Sequence, residues 1–119
     1  MKKQILICDD QPNIRESYKL ILADNYDLIF AANGQDVLLY LHENKPDLII
    51  MDIKMPKMDG LTALKELKKM QPDLPVLIVT GYDSVETAAT ALNAGAVDYI
   101  VKPFEPEQIS KSVRKVLGE

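Results

Sequence analysis

The sequence has one cysteine, one histidine, no long hydrophobic run and no excess of basic residues. A single cysteine excludes an internal disulfide, and Cys8 falls inside a short apolar run, where a buried thiol is expected rather than a reactive one. No apolar stretch approaches the about 20 residues of a membrane helix, and the opening Met-Lys-Lys lacks the hydrophobic region of a signal peptide. We therefore expect a cytoplasmic protein that has no membrane partner.

The charge balance of the chain is acidic, with 18 Asp and Glu residues against 14 Lys and Arg residues and a net charge of −4. A nucleic-acid-binding surface usually needs a clustered basic face. The one group of lysines, at positions 65, 68 and 69, is interrupted by Glu66 on a predicted helix, which is typical of a solvated helix face. We expect no direct contact with nucleic acid.

Strand-like and helix-like segments alternate along the 119 residues, which is the usual length of one domain with one core. Helices are predicted to begin near Pro12, Gly34, Leu61, Val85 and Pro106, the second of them ending near Asn44. The predicted strands are Gln4 to Cys8, Tyr26 to Ala31, Leu48 to Met51, Val76 to Val79 and Tyr99 to Val101. Ser84 and Gly95 are expected to cap the two ends of the fourth helix. Five β-α units of this kind predict a parallel sheet with helices on both sides.

Four of the predicted strands end on polar residues that suit phosphoryl chemistry. The first strand runs into Asp9 and Asp10, the third into Asp52, the fourth into Thr80 and the fifth into Lys102. The carboxyl ends of parallel strands meet at one edge, where open α/β sheets bind ligands. Oxygen ligands of this kind suit Mg²⁺, and a carboxylate can act as a nucleophile in phosphoryl transfer. The pattern therefore predicts a magnesium and phosphoryl site.

The sequence resembles the receiver domains of two-component response regulators over its whole length, 1–119. The matching stretches are Ile5 to Asp10, Met51 to Gly60, Val79 to Tyr82, Ala94 to Tyr99 and Lys102 to Phe104. The resemblance implies a flavodoxin-like, doubly wound five-stranded parallel sheet of order 2-1-3-4-5 with five helices. Its details are closest to the phosphorelay and nitrogen-regulation type of receiver. In this family the domain is a signalling module rather than an enzyme acting on other substrates.

The resemblance also implies roles for individual residues at the strand ends. Asp52 corresponds to the phosphoacceptor, and Lys102 to the lysine that contacts the phosphoryl group. Asp9, Asp10 and Asp52 correspond to the carboxylates that bind Mg²⁺, together with the backbone carbonyl of Lys54. The bond between Lys102 and Pro103 is expected to be cis.

Two further residues correspond to the conformational switch of this family. Thr80 corresponds to the switch hydroxyl and is expected to move toward the phosphoryl group. Tyr99 corresponds to the switch aromatic and is expected to turn inward behind Thr80; the alternative is a strand aromatic that never moves. The surface formed by the fourth helix, fifth strand and fifth helix is then the predicted contact for a downstream effector or for self-association.

The phosphoryl donor in this family is a histidine of a sensor histidine kinase or a histidine phosphotransferase. The predicted contacts with it, from the first and last β-α loops and the first helix, are Gln11, Asn13, Ile14, Pro103 and Phe104. Ile14 also fits the apolar spacing of its helix, and Phe104 is expected to be an exposed aromatic anchor. The chain's own histidine, His42, lies on the second helix and is expected at the surface.

Lys54 and Tyr82 are expected to flank the entrance of the site, two residues beyond Asp52 and Thr80 respectively. At these positions both side chains would obstruct the water that hydrolyses an aspartyl phosphate. We therefore expect slow autodephosphorylation. Alternatively, both side chains extend into solvent and only their backbones matter.

Three other kinds of protein share parts of this pattern. A haloacid-dehalogenase-type phosphatase needs a second acid two residues after its nucleophile, and counting from Asp9 that position is Gln11. A flavin-binding module needs a phosphate-binding loop rich in Gly, Ser or Thr after the first strand, and this chain has Asp-Asp-Gln-Pro at that place. A phosphorylation-independent pseudo-receiver is disfavoured because the acid pair, Asp52, Thr80 and Lys102 are all present. The sequence leaves open whether the chain is free-standing or part of a longer regulator.

Overall fold

The computed structural model of the chain describes residues 2–81 and 84–119. Its five strands are β1 (Gln4–Cys8), β2 (Asp27–Ala31), β3 (Leu48–Met51), β4 (Val76–Thr80) and β5 (Asp98–Val101). Its five helices are α1 (Pro12–Leu22), α2 (Gly34–Leu41), α3 (Gly60–Met70), α4 (Val85–Asn93) and α5 (Pro106–Leu117). Strands and helices alternate throughout, as the sequence predicts.

The five strands form one parallel sheet in the order β2-β1-β3-β4-β5. The predicted topology is therefore confirmed. The register aligns the last residues of neighbouring strands, since Cys8 pairs with Met51 and Thr80 pairs with Val101. Because of this alignment, the residues that follow β1, β3 and β5 leave the sheet at the same edge.

The three central strands are continuous apolar runs because both faces of the sheet are covered. Alternate residues face opposite sides. Leu6, Ile49 and Ile78 pack in the core cluster that includes residues of α2, α3 and α4. Ile50 and Leu77 pack in the cluster formed with α1 and α5. None of the helices described is long and apolar enough to cross a membrane.

The predicted ends of α4 are confirmed by the structure. The side chain of Ser84 accepts a hydrogen bond from the backbone N–H of Thr87, which caps the start of the helix. Gly95 follows Ala94, the C-terminal cap residue of α4, and has a φ of +112°, a conformation that residues with a Cβ rarely adopt. The helix is thus bounded by local chemistry at both ends.

Four predicted boundaries are wrong by one to three residues. The fourth strand ends at Thr80 rather than Val79, and the fifth begins at Asp98 rather than Tyr99. The second strand begins at Asp27 rather than Tyr26, and α2 ends at Leu41 rather than near Asn44. After Leu41 the N–H groups of His42 and Glu43 donate to carbonyls three residues back, so the helix tightens into a turn. The exposed position of His42 agrees with its predicted place at the surface.

Candidate functional site

A cleft of about 570 Å³ opens at the carboxyl ends of the strands. Its lining residues lie at or just after the carboxyl ends of β1, β3, β4 and β5, and they are Asp10, Gln11, Asp52, Lys54, Thr80, Gly81 and Lys102. The structure therefore brings the strand-end residues together, as the topology of the sheet requires.

Three carboxylates converge at this edge of the sheet. Asp9, Asp10 and Asp52 each present an oxygen, and these three oxygens lie within 4.8 Å of one another. The backbone places them, because strand pairing continues one residue past the strand ends: Asp9 N donates to Ala31 O (3.2 Å) and Asp52 N donates to Cys8 O (3.0 Å). Asp9 and Asp52 are buried and Asp10 is exposed. Three hard oxygen donors within this distance suit a divalent cation such as Mg²⁺.

Lys102 bridges two of the three carboxylates. Its Nζ donates to Asp9 Oδ2 (2.7 Å) and to Asp52 Oδ2 (2.9 Å), and also to Gln11 Oε1 (3.2 Å). The other oxygen of each buried acid accepts a backbone N–H: Asp9 Oδ1 from Gln11 (3.0 Å) and Asp52 Oδ1 from Ile53 (2.7 Å). Both buried carboxylates are therefore held in a fixed orientation.

The charges of the site favour a bound cation. Burial raises the pKa of the Asp9 carboxyl, against the hydrogen bonds from Lys102 and the Gln11 N–H. Burial alone would lower the pKa of Lys102, but its hydrogen bonds to Asp9 and Asp52 outweigh this effect and raise the pKa. Lys102 therefore stays protonated at neutral pH, and one ammonium offsets only one of three carboxylates. The excess negative charge is what a divalent ion would neutralise.

The two predicted switch residues lie on the neighbouring strands β4 and β5. Thr80 is fully buried as a residue, yet it lines the cleft at the end of β4, and its carbonyl accepts the N–H of Lys102 (2.8 Å). Tyr99 pairs with Ile78 in the sheet and is partly buried against the core on the α2, α3 and α4 side. Strand pairing thus links the position of Thr80 directly to that of Lys102.

The loop between β3 and α3 is held at its end by tight backbone contacts. Gly60 N donates to Ile53 O (2.7 Å), and Gly34 N donates to Met58 O (3.1 Å). A Cβ built on Gly60 would overlap the carbonyl oxygen of Asp52. The exposed Lys54 lies in this loop and lines the cleft, as predicted, whereas Tyr82 lies outside the described residues. The glycine at position 60 therefore allows α3 to start directly against the backbone of Asp52.

The predicted partner contacts have mixed exposure. Gln11, Asn13 and Pro103 are exposed, while Ile14 is partly buried and packs on the α1 and α5 side of the core. The expectation that Phe104 is an exposed anchor is wrong. Its ring is partly buried and stacks on the buried Tyr18, with centroids 5.4 Å apart and planes at 28°.

The peptide bond between Lys102 and Pro103 is cis, which confirms the prediction made from the family resemblance.

Two residues at the site were not recognised from the sequence. Arg15 Nε donates to the carbonyl of Asp9 (2.6 Å), and Gly60 contacts the backbone of Asp52. Arg15 had a sequence signal, since a basic residue in the first turn of a helix opposes the helix dipole. Gly60 had none, because it stood at the end of a predicted loop, where glycine is common.

The chain is similar in sequence to known proteins over nearly its whole length. Residues 5–114 match the family model described as the response regulator receiver domain. The regulatory protein AtoC of Escherichia coli is 39% identical over 115 residues, which cover 96% of this chain and 25% of AtoC. The probable transcriptional regulator ycf27 of Porphyridium aerugineum is 38% identical over 117 residues, covering 98% of this chain and 48% of ycf27. The chain thus spans about a quarter to a half of the length of these curated relatives.

Solved structures of similar proteins share the fold over nearly the whole chain. A CheY-like response regulator receiver domain protein from Methanospirillum hungatei superposes with a TM-score of 0.93 at 35% identity, covering 99% of this chain and 95% of that chain. The receiver domain of DrrB, in a form activated by BeF₃, superposes with a TM-score of 0.91 at 26% identity, and both chains are covered completely.

Proposed function

Because this chain belongs to the response regulator receiver domain family, we propose that it accepts a phosphoryl group on Asp52 from a histidine of a partner protein. Phosphoryl acceptance is the known function of this domain. The observation that carries the assignment to Asp52 is its position: it lines the cleft, lies beside two further carboxylates and accepts a hydrogen bond from Lys102.

The geometry favours Asp52 over the other two carboxylates as the phosphoacceptor. Asp9 is 1% exposed, whereas Asp52 keeps 7% of its surface and faces the cleft. Asp10 also lines the cleft, but it is exposed at the start of the β1–α1 loop. Asp52 alone of the three combines access to the cleft with hydrogen bonds to both carboxylate oxygens, from Ile53 N and Lys102 Nζ. A fixed nucleophile reduces the entropy cost of reaching the transition state.

The donor set at the strand ends fits Mg²⁺, and receiver domains bind this ion at an acidic pocket. We assign Asp9, Asp10, Asp52 and the backbone carbonyl of Lys54 as the groups that would hold it. When bound, Mg²⁺ offsets the negative charge of the carboxylates and of the transferring phosphoryl group. Labelling of Asp52 is therefore expected to require a divalent cation.

In the transfer itself, a carboxylate oxygen of Asp52 attacks phosphorus as the phosphorus–nitrogen bond to the donor imidazole breaks. The bonding electrons leave with the imidazole nitrogen, and the product is an aspartyl phosphate. Lys102 remains protonated beside Asp52 and contacts a phosphoryl oxygen, while the hydroxyl of Thr80 hydrogen-bonds another. The protein thus supplies the nucleophile and the electrostatic stabilisation.

The histidine donor is expected to belong to a sensor histidine kinase or a histidine phosphotransferase, the classes of partner with which response regulators interact. The proposed contacts lie on the cleft rim and on α1, and they are Gln11, Asn13, Ile14, Pro103 and Phe104. Because Phe104 stacks on Tyr18, its contribution is to shape the rim rather than to project into the partner. Exposed Gln11 and Pro103 supply the outer surface of that rim.

We propose that phosphorylation moves Thr80 toward the phosphoryl group and turns Tyr99 inward behind it. The output surface is then α4, β5 and α5, toward an effector or a second copy. Three apolar side chains support it: Val85, Leu92 and Val97 are 87%, 46% and 46% exposed in and just after α4. Val85 and Leu92 are seven residues apart and so share one face of α4, and exposed apolar groups on one face are typical of an interaction surface.

The phosphorylated state is proposed to be long-lived, and the domain catalyses only its own phosphorylation and dephosphorylation. Lys54 is exposed and lines the cleft, so its side chain is placed to obstruct an in-line water. The same role is proposed for Tyr82, which lies two residues after Thr80 in the sequence. Phosphoryl loss is expected to be faster in Lys54→Asn and Tyr82→Ala than in the parent.

The proposed function is tested by labelling with phosphoramidate, followed by intact-protein mass spectrometry. With Mg²⁺ the parent should gain one phosphoryl group, and Asp52→Asn should gain none. Asp73→Asn is the matched control, because Asp73 is exposed in the α3–β4 loop. Labelling of Asp52→Asn, or full labelling of the parent in excess chelator, would contradict the proposal.

A further inference from the structure

Arg15 contacts the backbone of the acid pair from the first turn of α1. Its Nε donates to the carbonyl oxygen of Asp9 at 2.6 Å, and its side chain is partly buried. This carbonyl lies where the chain leaves the sheet. The N–H of Asp9 still donates to Ala31 O in the strand ladder, and the next residue, Asp10, is exposed in the loop.

The placement of Arg15 is unfavourable for α1 taken alone. A cation in the first turn of a helix opposes the helix dipole, and α1 has no acidic residue in that turn to compensate. The side chain nevertheless turns back toward β1. There its Nε reaches the carbonyl oxygen of Asp9, the first residue after β1. The gain that offsets the helix cost therefore lies at the end of β1.

We propose that Arg15 is a positioning residue for the metal-binding acid pair. The carbonyl of Asp9 and the N–H of Asp10 belong to one planar peptide unit. The hydrogen bond from Arg15 fixes the rotation of that plane, and with it the directions in which the Asp9 and Asp10 side chains leave the backbone. Convergence of their oxygens on Asp52 then depends on a residue that is not among those lining the cleft. This inference rests on the proposed magnesium site.

The charge of Arg15 and its hydrogen bond act on Mg²⁺ affinity in opposite directions. Removing a positive charge near three carboxylates would, by electrostatics alone, make Mg²⁺ bind more tightly. Loss of the positioning bond would make Mg²⁺ bind more weakly, since residues that orient metal ligands typically contribute about tenfold or more to affinity. The sign of the change therefore separates the two roles.

The experiment measures Mg²⁺ binding to the 119-residue chain by isothermal titration calorimetry. We expect the dissociation constant of Arg15→Met to rise about tenfold. Arg15→Lys should show a smaller rise, because it keeps the charge but replaces the planar Nε donor by a flexible ammonium. Arg114→Met is the matched control: Arg114 lies on α5 and is the other arginine of the chain, and its variant should bind Mg²⁺ like the parent.

A second measurement separates positioning from general damage to the fold. The phosphoramidate labelling rate of Arg15→Met should approach that of the parent at saturating Mg²⁺, because the defect lies in metal binding. Unchanged or tighter Mg²⁺ binding in Arg15→Met would overturn the inference, as would a rate that saturating Mg²⁺ does not restore. If Arg15→Met fails to fold, Arg15→Gln and Arg15→Lys decide by the same criteria. If the parent protein binds no Mg²⁺, both the proposed function and this inference are refuted. If the parent binds Mg²⁺ and Arg15→Met binds it equally well, only this inference is refuted.

Discussion

Replacement of Gly60 by alanine tests the contact between α3 and the backbone of Asp52. The added methyl group would overlap the carbonyl oxygen of Asp52 and lie 2.9 Å from the Cα of Ile53. These are backbone atoms, which cannot rotate away as a flexible side chain would. Either α3 or the end of β3 must shift, and a shift of β3 displaces Asp52, the proposed phosphoacceptor.

The expected loss of stability follows from two opposing contributions. Overpacking against backbone costs up to about 3 kcal/mol. In the opposite direction, the higher helix propensity of alanine stabilises a helix by up to about 1 kcal/mol relative to glycine. The net destabilisation of Gly60→Ala is then about 2 kcal/mol, or a fall in melting temperature of about 8 °C for a domain of this size.

Urea denaturation followed by circular dichroism measures this difference in the free energy of unfolding. Gly81→Ala is the control, since a Cβ at Gly81 would meet no atom within 4 Å. Its stability should lie within about 0.5 kcal/mol of the parent. Gly60→Ala should also be labelled more slowly by phosphoramidate under conditions in which it is folded. Parental stability and parental labelling in Gly60→Ala would show that the two backbones are not in contact.

Three further predictions concern Lys102, Cys8 and Tyr26. Lys102→Met should lower the free energy of unfolding by about 3 kcal/mol in the absence of divalent cations, because it leaves two buried carboxylates unpaired. Mg²⁺ should restore part of this loss, and equal losses with and without Mg²⁺ in chemical denaturation would count against the prediction. Burial raises the pKa of the Cys8 thiol to about 12, so a thiol reagent at pH 8 should modify it only at the rate of unfolding, and fast stoichiometric reaction of the folded protein would refute this. Burial and the hydrogen bond to Glu119 raise the pKa of Tyr26 to about 12 from 10.0, so the protonated phenol stabilises the folded state fully below pH 10 and loses this effect as the pH rises toward 12. Tyr26→Phe should therefore reduce the fall in stability between pH 10 and 12, and an unchanged fall would show that Tyr26 does not cause it.

The sheet and the main site residues were accessible from the sequence for a physical reason. Strands buried on both faces are continuous apolar runs, and the residues after such runs meet at one edge. This rule alone placed Asp9, Asp52 and Lys102 together, and the structure confirms their contacts. The resemblance to receiver domains added the strand order, which is also confirmed.

Features that depend on tertiary contacts were not accessible in the same way. The bond from Arg15 to Asp9 and the contact of Gly60 with Asp52 join residues whose proximity appears only once the loops are folded. The exposure of Phe104 was predicted wrongly because its position in a loop beside polar residues does not reveal that its ring stacks on Tyr18 of α1. The end of α2 was misjudged because helix and turn share the same local sequence pattern after Leu41.

The central claim is that Asp52 receives the phosphoryl group, and borohydride trapping tests it most directly. Borohydride reduces an aspartyl phosphate to homoserine, so the modified position can be read from peptide masses after phosphoramidate labelling in Mg²⁺. We predict homoserine at position 52, with Asp9 and Asp10 unmodified, and none in a sample labelled in excess chelator. Homoserine at position 9 or 10, or a stable phosphoryl adduct with no reduced aspartate, would contradict the account.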